Sequence, residues 1–170
     1  MVVHPTQADF TGSRYATMAD MTDTNDTETS RRWLLKALRE ASGEMYELLM
    51  QAMHRSMPDA EALMERAWRQ DTIAAWQLGH LLFQDVEDLP LHDYEWLEQT
   101  NPPDCYEQLR EWYHLREQIN SVLYMISSYE WEQSASHRFQ GELSVESIAR
   151  AIHQTDLEIL NTLRAQLQPT

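Results

Sequence analysis

Apolar residues recur along this chain at steps of three and four. Leu34, Leu38, Ala41, Met45, Leu48 and Ala52 alternate those steps and form a heptad seam. Leu35, Leu49 and Met53 widen the seam into the broader stripe of a bundle helix. The pattern predicts a first helix that starts near Thr29 or Ser30, either of which can cap it, and runs to about Met57. Gly43 lies off the seam and costs this helix roughly 1 kcal/mol relative to alanine. Pro58 can open a second helix, because a missing N–H is harmless in the first turn. Its inner face reads Ala60, Leu63, Met64, Ala67, Ala74, Leu78, Leu81 and Leu82, and it should end near Val86. Asp71-Thr72 is a point where a helix can instead restart, which leaves room for a kink there.

Residues 87–104 break the periodicity, with a short extra helix expected over Asp93–Gln99. Pro103 and Asp104 can open a third long helix lined by Leu109, Trp112, Ile119, Leu123 and Ile126. The serines that follow are weak helix residues, so its end falls between Tyr129 and Gln140, with Gly141 as a stop. Ser144 is placed to cap the last helix, and Leu143 with Ile148 to staple its entry. Ile152, Ile159, Leu163 and Leu167 continue its apolar face.

Together these elements predict an all-α fold. It is an antiparallel bundle of about four long amphipathic helices, with a short extra helix in the loop between helices two and three. Residues 1–28 are polar and aperiodic and read as a disordered acidic arm; residues 29–168 read as one domain. The length of the first helix makes a homodimer through it an expectation.

Composition sharpens this picture. Only four glycines occur, too few for an all-β chain with its many turns. Acids outnumber bases by 28 to 13, a net charge of −15, which disfavours direct nucleic acid and anionic membrane as partners. No apolar run approaches the length of a membrane span, and no secretory signal opens the chain, so cytoplasmic residence is expected. The sole cysteine, Cys105, rules out an intrachain disulfide and a zinc site made of cysteines.

Candidate chemistry is sparse, and no cofactor is implied. Glu111 and His114 have the Glu-x-x-His spacing that places a carboxylate and an imidazole on one helix face, as in di-iron bundles. The spacing occurs once rather than twice, and Trp112 holds the best apolar position, so the pair is expected to face solvent. Cys105 has Asp104 and Glu107 nearby, which raise a thiol pKa. Residues 143–163 resemble a helix-turn-helix profile, with Ala149 at the small position and Ile159 at the apolar one. His153 stands where the turn usually has glycine, and Asp156 and Glu158 would face phosphates. One continuous amphipathic helix is the simpler expectation.

The sequence feature that points outward is charge. From Gln70 to Leu109 no lysine or arginine occurs. Within that stretch Asp85, Glu87, Asp88, Asp93, Tyr94, Glu95, Trp96 and Glu98 combine carboxylates with aromatics between two helices. Trp96 is the best candidate for an exposed anchor. These residues lead to the expectation of a non-catalytic adaptor, regulatory subunit or inhibitor that presents this surface to a basic partner protein. Two alternatives accompany it: a small metal-binding bundle protein or enzyme centred on Glu111 and His114, and a degenerate helix-turn-helix regulator.

Overall fold

The structure, a computed structural model, describes residues 18–84, 86–90 and 104–168, with side chains from residue 27 onward. Four long helices dominate: α1 (Met18–His54), α2 (Ala60–Phe83), α3 (Cys105–Met125) and α5 (Val145–Leu167). Between α3 and α5 lie a single helical turn, α4 (Ser128–Trp131), and a hairpin of β1 (Ser134–His137) and β2 (Gly141–Ser144). The all-α bundle expected from the apolar periodicity is present. The expected short helix over Asp93–Gln99 lies outside the described residues.

The helix ends follow local chemistry. α1 begins at Met18, within the stretch read from sequence as an arm, because no glycine or proline interrupts the helix before Thr29. It ends in a Schellman arrangement: Ser56 N–H donates to Met53 C=O at 2.9 Å, and Met57 N–H to Ala52 C=O at 3.0 Å. Ser56 takes the left-handed backbone, at φ 51°, that this motif requires. α2 is unbroken through Asp71-Thr72, where the sequence offers a restart; Thr72 donates its hydroxyl to Trp68 C=O at 2.8 Å. Asp104 caps α3 by accepting from Tyr106 N–H at 3.0 Å.

The third helix stops at Met125, short of the range expected. Ser127 and Glu130 form a capping box that starts α4 in a new direction. The hairpin beyond it is absent from the sequence-based expectation, since its polar strands carry little alternation. Its tip closes at Gly141, whose φ of 76° suits glycine. Ser144 caps α5 as expected, accepting from Ser147 N–H at 3.1 Å. From there α5 is one continuous helix, so the helix-turn-helix reading of residues 143–163 is corrected. The position where that motif needs glycine is occupied by His153, which simply continues the helix.

Long-range side-chain pairs give the helix directions. Arg150 reaches Ser30 and Arg164 reaches Glu44, so α5 runs parallel to α1. Arg66 pairs with Glu158 and Gln166 with Asp59, so α2 runs antiparallel to α5. Arg31 meets the carbonyl end of α3, so α1 and α3 are antiparallel, and α2 and α3 are parallel neighbours. The order is up, down, down, up. A parallel pair needs a return path along the whole bundle, here about 30 Å for a helix of α3's 21 residues. That requirement accounts for the long break in periodicity between α2 and α3.

The core is in two parts. One holds Met45, Leu49, Met64, Leu109, Trp112, Ile159 and Leu163. The other holds Leu38, Leu78, Leu123, Trp131, Ile148 and Ile152. Asp71, Arg116 and Asp156 sit between the two on their respective helices, forming a buried ionic layer across α2, α3 and α5.

Candidate functional site

The acidic segment joins the fold at its described end. Ser136 N–H donates to Glu87 C=O at 2.9 Å, and Leu89 N–H to Ser136 C=O at 2.8 Å. This bridge lays the backbone around Asp88 beside β1, with Leu89 buried and the side chains of Glu87 and Asp88 exposed. Asp85, Asp93, Tyr94, Glu95, Trp96 and Glu98 lie outside the described residues. Among the described tryptophans, Trp33 is exposed, Trp76 half-buried, and Trp68, Trp112 and Trp131 buried.

Glu111 and His114 share an exposed face of α3, as their spacing against Trp112 implied. No group of three His, Cys, Asp or Glu side chains able to hold a metal assembles among the described residues. The pair therefore stays two donors on a solvated surface. Cys105 is half-buried, and its thiol is pushed up by burial and then by Asp104, which keeps it a poor nucleophile at neutral pH.

Among the described residues a buried charge cluster forms that the sequence reading does not contain. Arg116 Nε and Nη2 donate to the two carboxylate oxygens of Asp71 at 2.7 Å each. Its Nη1 and Nη2 donate to Asp156 at 2.7 and 2.9 Å. All three side chains are sealed from water, and the guanidinium lies 5.4 Å from the Trp112 ring centre. Burial alone would lower the Arg116 pKa; Asp71 and then Asp156 more than offset this and hold it above its ordinary value. Burial raises both carboxyl pKa values, and Arg116 opposes the rise. Buried and paired across α2, α3 and α5, this layer locks the relative register of three helices. The only sequence signal for it was a charged residue at each of three core-facing helical positions.

The basic residues at the start of α1 are also accounted for. Arg31 is buried, donates to Leu123 C=O at 3.4 Å and to Ile126 C=O, and lies 5.1 Å from the Trp131 ring centre. It neutralises the carbonyl end of α3. Arg32 pairs with Glu28 at 3.0 Å and Lys36 with Glu40 at 3.7 Å, both on the surface of α1.

Arg39 is different. It lines a groove of about 350 Å³ between α1 and α3, together with Leu35, Glu117, Asn120, Ser121, Tyr124 and Met125. Its guanidinium makes no hydrogen bond or ion pair among the described residues, and neither does the carboxylate of Glu117. Both polar atoms of the Asn120 amide are shielded from water and unpartnered. The groove has the volume of a small-molecule site and converging polar groups.

No protein-family model matches the chain, and no curated protein matches it in sequence. Among solved structures the fold is similar to that of YfiT from Bacillus subtilis, with a TM-score of 0.63 and 9% identity, covering 81% of this chain and 87% of that one. YfiT is described as a probable metal-dependent hydrolase with an unusual four-helix bundle topology. At that identity the likeness establishes the shared fold. The expectation of a non-catalytic adaptor, drawn from the acidic residues between the second and third helices, is corrected on this point: the similar fold is described for a probable hydrolase. No helix among the described residues is long and apolar enough to cross a membrane.

Proposed function

We propose that this chain is a small enzyme of the hydrolase type built on a four-helix bundle. The observation that carries the reading is the similarity to YfiT over most of both chains. The concave polar groove between α1 and α3 supports it, since a hydrolase needs a place to hold a small substrate.

Metal dependence does not transfer residue by residue. Glu111 and His114 provide two donors, and the described residues gather no third. A catalytic zinc site takes three protein ligands and keeps one position open. The described donors do not fit that requirement, and no step is derived through a metal.

The test is hydrolysis of a panel of p-nitrophenyl esters and aminoacyl p-nitroanilides by purified protein, before and after chelation, with metal content measured in parallel. Turnover above the solvent rate is the expected result. Loss of turnover on chelation, together with loss in Glu111→Gln and His114→Gln, would place a metal at that pair. No turnover on any substrate and no retained metal would end the hydrolase reading.

A further inference from the structure

We infer that the groove between α1 and α3 is a binding site for an apolar α-amino acid. This goes beyond the hydrolase reading and does not depend on it. Arg31 reaching Leu123 and Ile126 sets α1 and α3 antiparallel at a known register. That register places Arg39 level with Glu117 and Asn120, one end of the groove, and Leu35 nearer Tyr124 and Met125 at the other. The groove is thus charged and polar at one end and apolar at the other.

At the polar end the Arg39 guanidinium and the Glu117 carboxylate come from facing helices, and among the described residues neither pairs with the other or with a third group. Asn120 lines the same groove one turn along α3 from Glu117, with a donor and an acceptor both shielded from water and both without a partner among the described residues. A buried amide left in that state calls for a partner. A zwitterionic head satisfies all three groups at once. Its carboxylate accepts from Arg39 and from the Asn120 amide N–H. Its ammonium donates to Glu117 and to the Asn120 amide C=O.

The remainder of the ligand follows from the other end. Tyr124 and Met125 are exposed at 77% and 83%, a large uncovered apolar surface beside Leu35. An aromatic or branched aliphatic side chain would cover it. Simple anions lack the donor that Glu117 and the Asn120 carbonyl need, and amines lack the acceptor for Arg39.

The experiment is titration of isotope-labelled protein with L-phenylalanine and L-leucine, followed by NMR shifts, beside 3-phenylpropionate and phenethylamine as single-charge controls. Expected are shifts confined to α1 and α3 that include the Asn120 side-chain amide, and binding about tenfold or more weaker for each control. Arg39→Gln, Glu117→Gln and Asn120→Leu should each weaken phenylalanine binding by at least about the same factor. If Asn120→Leu does not fold, the amide shift in the wild-type protein decides its role. No shift with either amino acid at millimolar concentration would overturn the inference. So would shifts elsewhere, or binding unchanged in all three variants. Binding without turnover leaves this inference standing while counting against the hydrolase; turnover with no groove shifts does the reverse.

Discussion

Arg116 grips Asp71 with two parallel N–H···O bonds of 2.7 Å, and neither side chain touches water. The same guanidinium holds Asp156 from a third helix, so one cation serves two carboxylates. Removing the cation alone strands both acids. Arg116→Met should therefore destabilise the fold by about 3–5 kcal/mol. Replacing the whole layer, as Asp71→Leu, Arg116→Met and Asp156→Leu together, should recover most of that loss, because apolar groups need no desolvation. Urea unfolding of the wild type, the single variant and the triple variant checks this. A triple variant no more stable than Arg116→Met alone would show that the layer supplies net stability rather than register.

Ser56 ends α1 in the left-handed region, where a side chain is strained and glycine is not. Ser56→Gly should raise stability by roughly 1 kcal/mol, and Ser56→Val should lower it by at least as much. For a domain of this size 1 kcal/mol moves Tm by about 2–4 °C, which calorimetry resolves. Equal Tm values for the glycine and valine variants would contradict the Schellman reading.

His153 is half-buried on α5, edge-on to Trp33 at 5.4 Å, with its Nδ1 shielded and unpartnered. Burial lowers its pKa below the ordinary 6.5, and the positive charge of Arg116 adds to the effect. The unfolded chain therefore takes up the proton more readily than the folded one. Stability from this group is complete above pH 6.5 and is lost as pH falls through the folded-state pKa. His153→Gln should flatten that part of the stability–pH curve. NMR titration of the imidazole gives the folded pKa directly, and a value at or above 6.5 would contradict the prediction.

Arg31 satisfies the carbonyl end of α3 and stacks on Trp131. Arg31→Leu keeps much of the bulk but leaves those carbonyls without a donor, and should cost about 1–3 kcal/mol. Arg31→Lys keeps the charge and loses the planar stack, so it should fall between. Hydrogen exchange should show the last turn of α3 opening first in the leucine variant. Uniform exchange along α3 would mean that Arg31 acts through general packing instead.

Particular residues show how much was legible. Leu34, Leu38, Leu109, Trp112, Leu123, Ile152 and Ile159 were assigned to the core from spacing alone, and all are buried. The sequence marks Ser144 as a cap and places Asp104 at the opening of the third helix, and both accept the backbone N–H that defines a cap. These features are local: periodicity and capping involve residues within a turn or two of each other. The hairpin of residues 134–144 was missed because its strands are short and polar, and its pairing is between segments. From sequence Asp71 is only a point where the helix can restart, because nothing within α2 reveals that an arginine from α3 meets it and holds an aspartate of α5 as well. The groove was missed for the same reason. Leu35 and Arg39 are one turn apart on α1, and Glu117, Asn120 and Tyr124 are in turn-like steps on α3, but their meeting depends on register.

The sequence by itself determined that this chain forms four long amphipathic helices, where most of them start, and which stripe of each turns inward. Apolar periodicity and capping chemistry act over a few residues, so those facts are written in the order of the side chains. Only the tertiary structure decided the directions of the helices, the ionic layer between the two halves of the core, and the position of Arg39 beside Glu117 and Asn120. A parallel or antiparallel pairing buries much the same apolar stripe, so periodicity does not distinguish them; the long-range contacts of Arg31, Arg116, Arg150 and Arg164 do.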